Sequence, residues 1–179
     1  MANSAPASTL DVRRVRRAAE AELEALADVL IDCVEGGASV SFMLPMTRAK
    51  ALAFWRDVAA GVARGERALM VLEDAQGIAG TVQLILAQPE NQPHRADVAK
   101  MLVHRRARRQ GAGAALMRAA EREALAEGKT LLVLDTADET AARLYARLGW
   151  QAVGTIPRYA LLPAGGECAT TFFYRALAA

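Results

Sequence analysis

The stretch VHRRARRQGAGAAL, residues 103–116, sets four arginines and two glycines between an apolar run and the start of a helical pattern. Before it, ADVAKMLV (96–103) completes a segment that reads as a strand. After it, about 111–127 repeats apolar residues at helical spacing until Gly128. TLLVLD (130–135) follows as an apolar run of the kind expected for a strand buried on both faces. Strand, helix and strand make a βαβ unit, so the two strands are expected to be parallel and the crossover right-handed.

The remaining elements arrange themselves around that unit. DVRRV (11–15) alternates like a first strand, and Leu23, Leu26, Ala27, Leu30, Ile31 and Val34 predict a helix that Gly36 and Gly37 stop. Ala51, Phe54, Trp55, Val58 and Val62 predict a second helix, with Thr47 as N-cap and Gly65 at its end. RALMVLEDAQGIAGTVQLILA (67–87) reads as a hairpin turning at Asp74 and Gly77. TADE (136–139) has capping-box spacing, and Ala141, Leu144, Tyr145 and Leu148 give the helix after it an apolar stripe that Gly149 closes. Two last strands come from WQAVGTIPRYALL (150–162) and ATTFFYRAL (169–177). The expected fold is a mixed α/β sheet of about seven strands flanked by about four helices.

Length and composition bound what such a domain does. At 179 residues the chain suits one α/β domain, expected over 10–179, and the small polar residues 1–9 are expected to be a disordered leader. A net charge of +2 from 22 basic and 20 acidic residues gives no molecule-wide field for capturing nucleic acid or a membrane surface. No apolar run has the length of a membrane span, and MANSAPASTL (1–10) lacks the basic start and apolar centre of a signal peptide, so a cytoplasmic protein is expected. Cys33 and Cys168 lack further ligands at metal spacing; free buried thiols and no metal site are the reading.

The arginine and glycine loop admits three readings. A helix beginning near Gly111 offers four unpartnered N–H groups and the positive end of its dipole, which suits an anion. Glycines 111 and 113 keep side chains away from that backbone, and Arg108 and Arg109 add charge. A solvated helix start and a nucleic-acid patch are the rivals, the latter without aromatic residues for base stacking. A P-loop fails because Ala-Ala-Leu follows Gly113, and a dinucleotide loop fails because the third glycine is missing.

Together ADVAKMLV, the glycine loop and AARLYARLGW (141–150) resemble the GCN5-related N-acetyltransferase (GNAT) family, and the order of elements over about 11–177 agrees. The resemblance implies that acetyl-coenzyme A binds between two splayed parallel strands. Main-chain groups of Met101, Leu102 and Val103 are then expected to pair with pantetheine, the Met101 N–H lying near the thioester carbonyl. Amides of Arg109, Gln110, Gly111, Ala112, Gly113 and Ala114 are expected on the pyrophosphate, beside the Arg108 side chain, with Ala141 at the same ligand. Tyr145 matches the family's tyrosine that points at the sulfur as general acid; from periodicity alone it is also an ordinary stripe residue. Asp138 stands where many members have asparagine against pantetheine.

Attack by an amine needs a base, because a lysine-like amine with a pKa of about 10.4 is protonated near neutrality. Asp97 occupies the place of the family's strand glutamate and is the first candidate; an exposed acid paired with Arg95 or Lys100 is the plain alternative. His94 and Asp135 are the runners-up. Phe42, with Met43, Leu44, His94 and Tyr159, predicts a mostly apolar acceptor wall. That wall favours a small amine over a protein or peptide tail. NQPHRADVAKMLVHRRARRQGAG (91–113) and FFYRAL (172–177) are similar to the branch that includes the tabtoxin resistance protein, which implies an amino-acid-like toxin or metabolite. A non-catalytic acetyl-CoA-binding regulatory module is the alternative from another class. Monomer and homodimer both remain open.

Overall fold

Strands that are apolar at consecutive positions require cover on both faces. The computed structural model, which describes residues 10–178, supplies that cover with four helices and a single 3-10 turn, Arg105–Ala107. The expected leader lies outside the described residues. Strand β1 (Asp11–Val15) leads into helices α1 (Glu20–Glu35) and α2 (Arg48–Ala63), and the hairpin β2 (Arg67–Asp74) and β3 (Gly77–Ile85) follows. Then come β4 (Arg95–Val103), α3 (Ala112–Ala126), β5 (Leu131–Thr136), α4 (Glu139–Arg147), β6 (Gln151–Leu161) and β7 (Glu167–Ala176).

All strands join one 7-stranded sheet in the order β1-β2-β3-β4-β5-β7-β6. Only β4 and β5 pair in parallel, across the crossover through α3, and every other neighbour is antiparallel. Leu69 and Val71 of β2 pack with Leu26, Leu30, Trp55 and Val58 beneath α1 and α2. Met70 and Leu72, one residue out of phase, pack with Leu116, Met117, Leu132 and Phe173 on the α3 side. The sheet therefore has two apolar cores, one per face.

Local signals fixed most element ends. Thr47 caps α2, its side chain accepting from the Lys50 N–H at 3.2 Å. The capping-box reading at Thr136 is corrected: β5 runs through Thr136, so Asp138 is the N-cap of α4, accepting from the Ala141 N–H at 2.8 Å. Thr136 instead accepts from the Asp138 N–H at 3.1 Å. The double-sided burial expected of β5 is also corrected. Leu132 and Leu134 enter the α3 core, while Leu131, Val133 and Asp135 on the other face are only partly covered or exposed. Both cysteines are free, Cys33 buried and Cys168 half-buried.

Candidate active site

The parallel seam is short. Arg95, Ala96 and Asp97 face Leu131, Leu132 and Val133, and beyond Asp97 strand β4 has no partner in β5, although both strands continue. On its other edge β4 stays paired with β3 as far as Val103. Two extended strands thus diverge from a vertex at Asp97 and Val133, leaving facing edges whose main-chain groups need partners.

A bulge shapes the β4 side of the gap. Thr81 faces Leu102 and Gln83 faces Ala99, so Lys100 and Met101 together oppose Val82, and Lys100 adopts φ 50°. The extra residue reverses the alternation: Val98 packs in the α3 core, whereas Leu102 packs in the α1 and α2 core. Met101 leans toward α3, and Asp97, Ala99 and Lys100 lie on the α1 and α2 side.

At the open end of the gap, α3 begins from Gly111 at φ 84°, with no side-chain cap. Among the described residues, the main-chain N–H groups of 109–114 find no protein acceptor. A side chain added at Gly111 meets nothing within 4 Å, whereas a Cβ at Gly113 stands 2.8 Å from Leu144 Cδ2 and 3.9 Å from Met101 Sδ. Gly113 is thus small to let α4 approach, and Gly111 to take the left-handed turn. Unpartnered amides at a helix start suit an anion.

The arginines are mostly committed elsewhere. Arg105 donates from its backbone N–H to Asp32 Oδ2 at 2.9 Å and from Nε to Oδ1. Arg106 donates to Asp74 Oδ2 at 2.9 Å and to the Ile78 carbonyl at 2.8 Å. Arg108 turns inward, its Nε donating to the Val103 carbonyl at 3.0 Å and its Nη2 lying 3.8 Å from Asp32 Oδ2. Arg109 alone of the four makes no side-chain bond among the described residues. Asp32, 8% exposed and on the apolar side of α1, ties the loop to the body of the domain and went unread in the sequence. The signal was present: an acid inside a buried helical stripe needs a partner.

Tyr145 is 5% exposed and packs against Trp150 and Phe173, with ring centroids 6.1 and 5.7 Å away. Burial pushes its hydroxyl pKa well above the ordinary tyrosine value, and the nearby charges of Asp138 and Asp135 push the same way. The phenol therefore keeps its proton across the neutral range. Leu144, its chain neighbour, is the residue that meets Gly113, which sets α4 against the start of α3.

The acidic candidates divide. Asp97, at the vertex, accepts from Gln88 Nε2 at 3.0 Å and from Arg95 Nη1. Asp135 lies on the same face of β5, free of salt bridges among the described residues. Its carboxyl is raised above the usual range by lost hydration; Lys100 opposes that rise and Asp97 adds to it. His94 precedes the paired end of β4, roughly 10 Å along the strand from Asp97, and contributes its carbonyl to Thr130 and Leu131. The structure thus brings Asp97 and Asp135 together and leaves His94 apart.

The α1 to α2 loop roofs this side. Leu44 donates to the Pro163 carbonyl at 2.9 Å and Ser39 to the Leu161 carbonyl at 3.1 Å, joining the loop to the β6 and β7 hairpin. Phe42 stacks edge-on against Phe54 at 5.2 Å. The wall is less apolar than its sequence suggested: Lys50 sits 5.6 Å from the Phe42 ring and Lys100 5.8 Å from that of Phe54. Lys129, 9% exposed, donates to the Leu86 and Pro93 carbonyls at 3.2 and 2.8 Å and pins the segment before β4.

Residues 65–152, which hold the splayed pair and the loop, match the family model of the acetyltransferase (GNAT) domain. Over these residues the chain carries an acetyltransferase domain of the GNAT type. Solved structures share the fold over nearly the whole chain. A GCN5-related N-acetyltransferase from Kribbella flavida matches with TM-score 0.76 and 24% identity, covering 94% of this chain and 98% of its own. An N-acetyltransferase from Staphylococcus aureus Mu50 matches with TM-score 0.78 and 18% identity, covering 96% and 100%. A GNAT superfamily phosphinothricin acetyltransferase from Sinorhizobium meliloti, in complex with AcCoA, matches with TM-score 0.75 and 18% identity, covering 96% and 89%. The family-model match, rather than these likenesses of fold, makes this an acetyltransferase domain. Among the described residues no helix is long and apolar enough to cross a membrane.

Proposed function

We propose that the protein transfers an acetyl group from acetyl-CoA to the primary amine of a small molecule. The observation that carries this reading is the seam that stops at Asp97 and Val133 while β4 and β5 run on, next to six unpartnered amides. Those groups fit the ligand: an extended chain with its own amides suits the open edges of 98–103, and a pyrophosphate suits the amides of 109–114. Acetyl-CoA, when bound, supplies the acetyl group as a thioester whose sulfur leaves as a thiolate.

The protein's own groups then have distinct tasks. The Met101 N–H donates toward the carbonyl oxygen where negative charge grows. Asp97, or Asp135 beside it, takes the proton that the amine loses as its nitrogen bonds to the acetyl carbon. Tyr145, which stays protonated, gives its proton to the sulfur as the C–S bond breaks. Leu102, Ala141 and Asp138 line the ligand, and Phe42 lines the acceptor side. Arg108 acts from behind, by holding the Val103 carbonyl and the loop, while Arg109 is free to reach a phosphate.

A small acceptor fits the tethered roof better than a protein tail, because the loop carrying Phe42 is bonded to the β6 and β7 hairpin. An amino-acid-like metabolite, antibiotic or toxin, handled in the cytoplasm, is the preferred class. The test is a thermal-shift titration with acetyl-CoA followed by thiol-release assays over an amine panel. A ligand at about a hundred times its Kd adds about 2.7 kcal/mol, a rise in Tm of about 5–10 °C for a domain of this size. No shift at millimolar acetyl-CoA overturns the reading; a shift without transfer to any amine favours a binding module.

A further inference from the structure

The β4 bulge places a half-buried cation on the acceptor side. Lys100 projects from the β4 bulge toward α2, where Nζ lies 3.1 Å from Ser41 Oγ and 5.8 Å from the Phe54 ring, and it makes no salt bridge among the described residues. Of the other half-buried cations near the sheet, Arg95 is matched by Asp97, Arg106 by Asp74 and Lys129 by two carbonyls, whereas Arg67 donates to Gln83 Oε1 at 3.1 Å and adds a second positive charge near Lys100. A hydroxyl and an aromatic face neutralise no charge.

Nearby donors are also unmatched. Gln83, wholly buried, faces Ala99 across the β3 and β4 register; its Oε1 accepts from Arg67 at 3.1 Å and its Nε2 has no partner. Trp55, also wholly buried and 5.0 Å from the Phe54 ring, leaves its Nε1 unpartnered. Two buried N–H donors on this face thus lack an acceptor, and the charged Lys100 has only the Ser41 hydroxyl. Across the gap stands Asp135, near enough to Lys100 for each to perturb the other's ionisation.

We propose that Lys100 anchors a carboxylate on the acceptor, so that the preferred substrate is a small amino acid or close analogue with amine and carboxylate a few bonds apart. This rests on the acetyltransferase reading above and adds a specificity-determining residue to it. A simple amine enters as a cation, attracted by Asp97 and Asp135 but repelled by Lys100. A molecule with an anionic group beside the amine meets opposite charge at both ends. The bulge is what delivers Lys100 to this face, since without the extra residue the alternation turns it toward α3.

The experiment compares kcat/KM for matched triplets: an amino acid, its amide and its decarboxylated amine. The wild-type protein is expected to prefer the free acid by at least about tenfold, the scale of a charge-assisted contact. Lys100→Met should abolish that preference mainly through KM for the acid, Lys100→Arg should retain it, and Tm and the acetyl-CoA shift report whether each variant is folded. Equal wild-type efficiency for acid and amide overturns the proposal, as does an equal loss on both in Lys100→Met. If no member of the panel turns over, calorimetry of the CoA-loaded protein with N-acetyl amino acids and their amides decides, and binding that ignores the carboxylate also overturns it. Failure of the underlying reading shows separately, as no acetyl-CoA shift at all.

Discussion

Tyr145 is where burial and proposed chemistry meet most directly. Its ring fills the core between Trp150 and Phe173, so the residue of the apolar stripe is also the one proposed as the acid at the sulfur. Tyr145→Phe keeps the packing and removes one proton donor. Turnover is expected to fall about a hundredfold, as for loss of a general acid, with the acetyl-CoA thermal shift preserved. Equal turnover in the variant removes the assignment. Asp135 gives a prediction of the opposite sign in stability. Its folded pKa is raised, so its favourable contribution is present below the unfolded value and is lost as pH rises through the folded one. At neutral pH the ionised carboxylate is therefore less at ease in the native state than in the unfolded chain. Asp135→Asn should raise Tm slightly at pH 7, by about a degree, with the gain vanishing toward pH 3. A lower Tm at pH 7 shows that its attraction to Lys100 outweighs the lost hydration.

The elements explain which parts of the site were legible in sequence. The strand, loop and helix around residues 95–126 stand out because period, glycine and capping signals agree there, and the seam, α3 and α4 formed where those signals lay. The arginines were misleading for a physical reason: charge density along a chain does not reveal which charges are already paired in space. Arg105 and Arg106 were paired by Asp32 and Asp74, which lie 73 and 32 residues earlier. Lys100 was invisible as a site group because a bulge changes which face a residue takes, and its pairing with β3 is not encoded locally. The anchoring acid makes a prediction at this scale. Asp32→Ala leaves the Arg105 amide and guanidinium without their acceptor, at a cost of about 2 kcal/mol, or a fall in Tm of about 4–8 °C. Because the same bonds hold the turn before α3, acetyl-CoA affinity should fall as well. A stability loss with unchanged affinity separates the loop's fold from its role.

At the scale of the whole molecule the sheet is two pieces meeting at three residue pairs. Strands β1, β2, β3 and β4 form one, β5, β7 and β6 the other, and β4 meets β5 only at Arg95, Ala96 and Asp97, just beyond the His94 carbonyl that accepts from Leu131. Side chains share the rest of the joint: Trp150 Nε1 donates to Glu121 at 2.9 Å, and Leu132, Leu134 and Phe173 enter the α3 core. A ligand that pairs with both open edges restores what the seam lacks, so its effect should reach beyond its contacts. Hydrogen exchange measured with and without acetyl-CoA tests this. Amides of 98–103 and 109–114 should slow because they are contacted. Amides of β5 and β7 should slow too, because opening the second piece then requires breaking ligand bonds as well as three strand pairs. Protection confined to 109–114 means that the ligand rests on the helix start without bridging the strands, and the splayed seam then loses its proposed purpose.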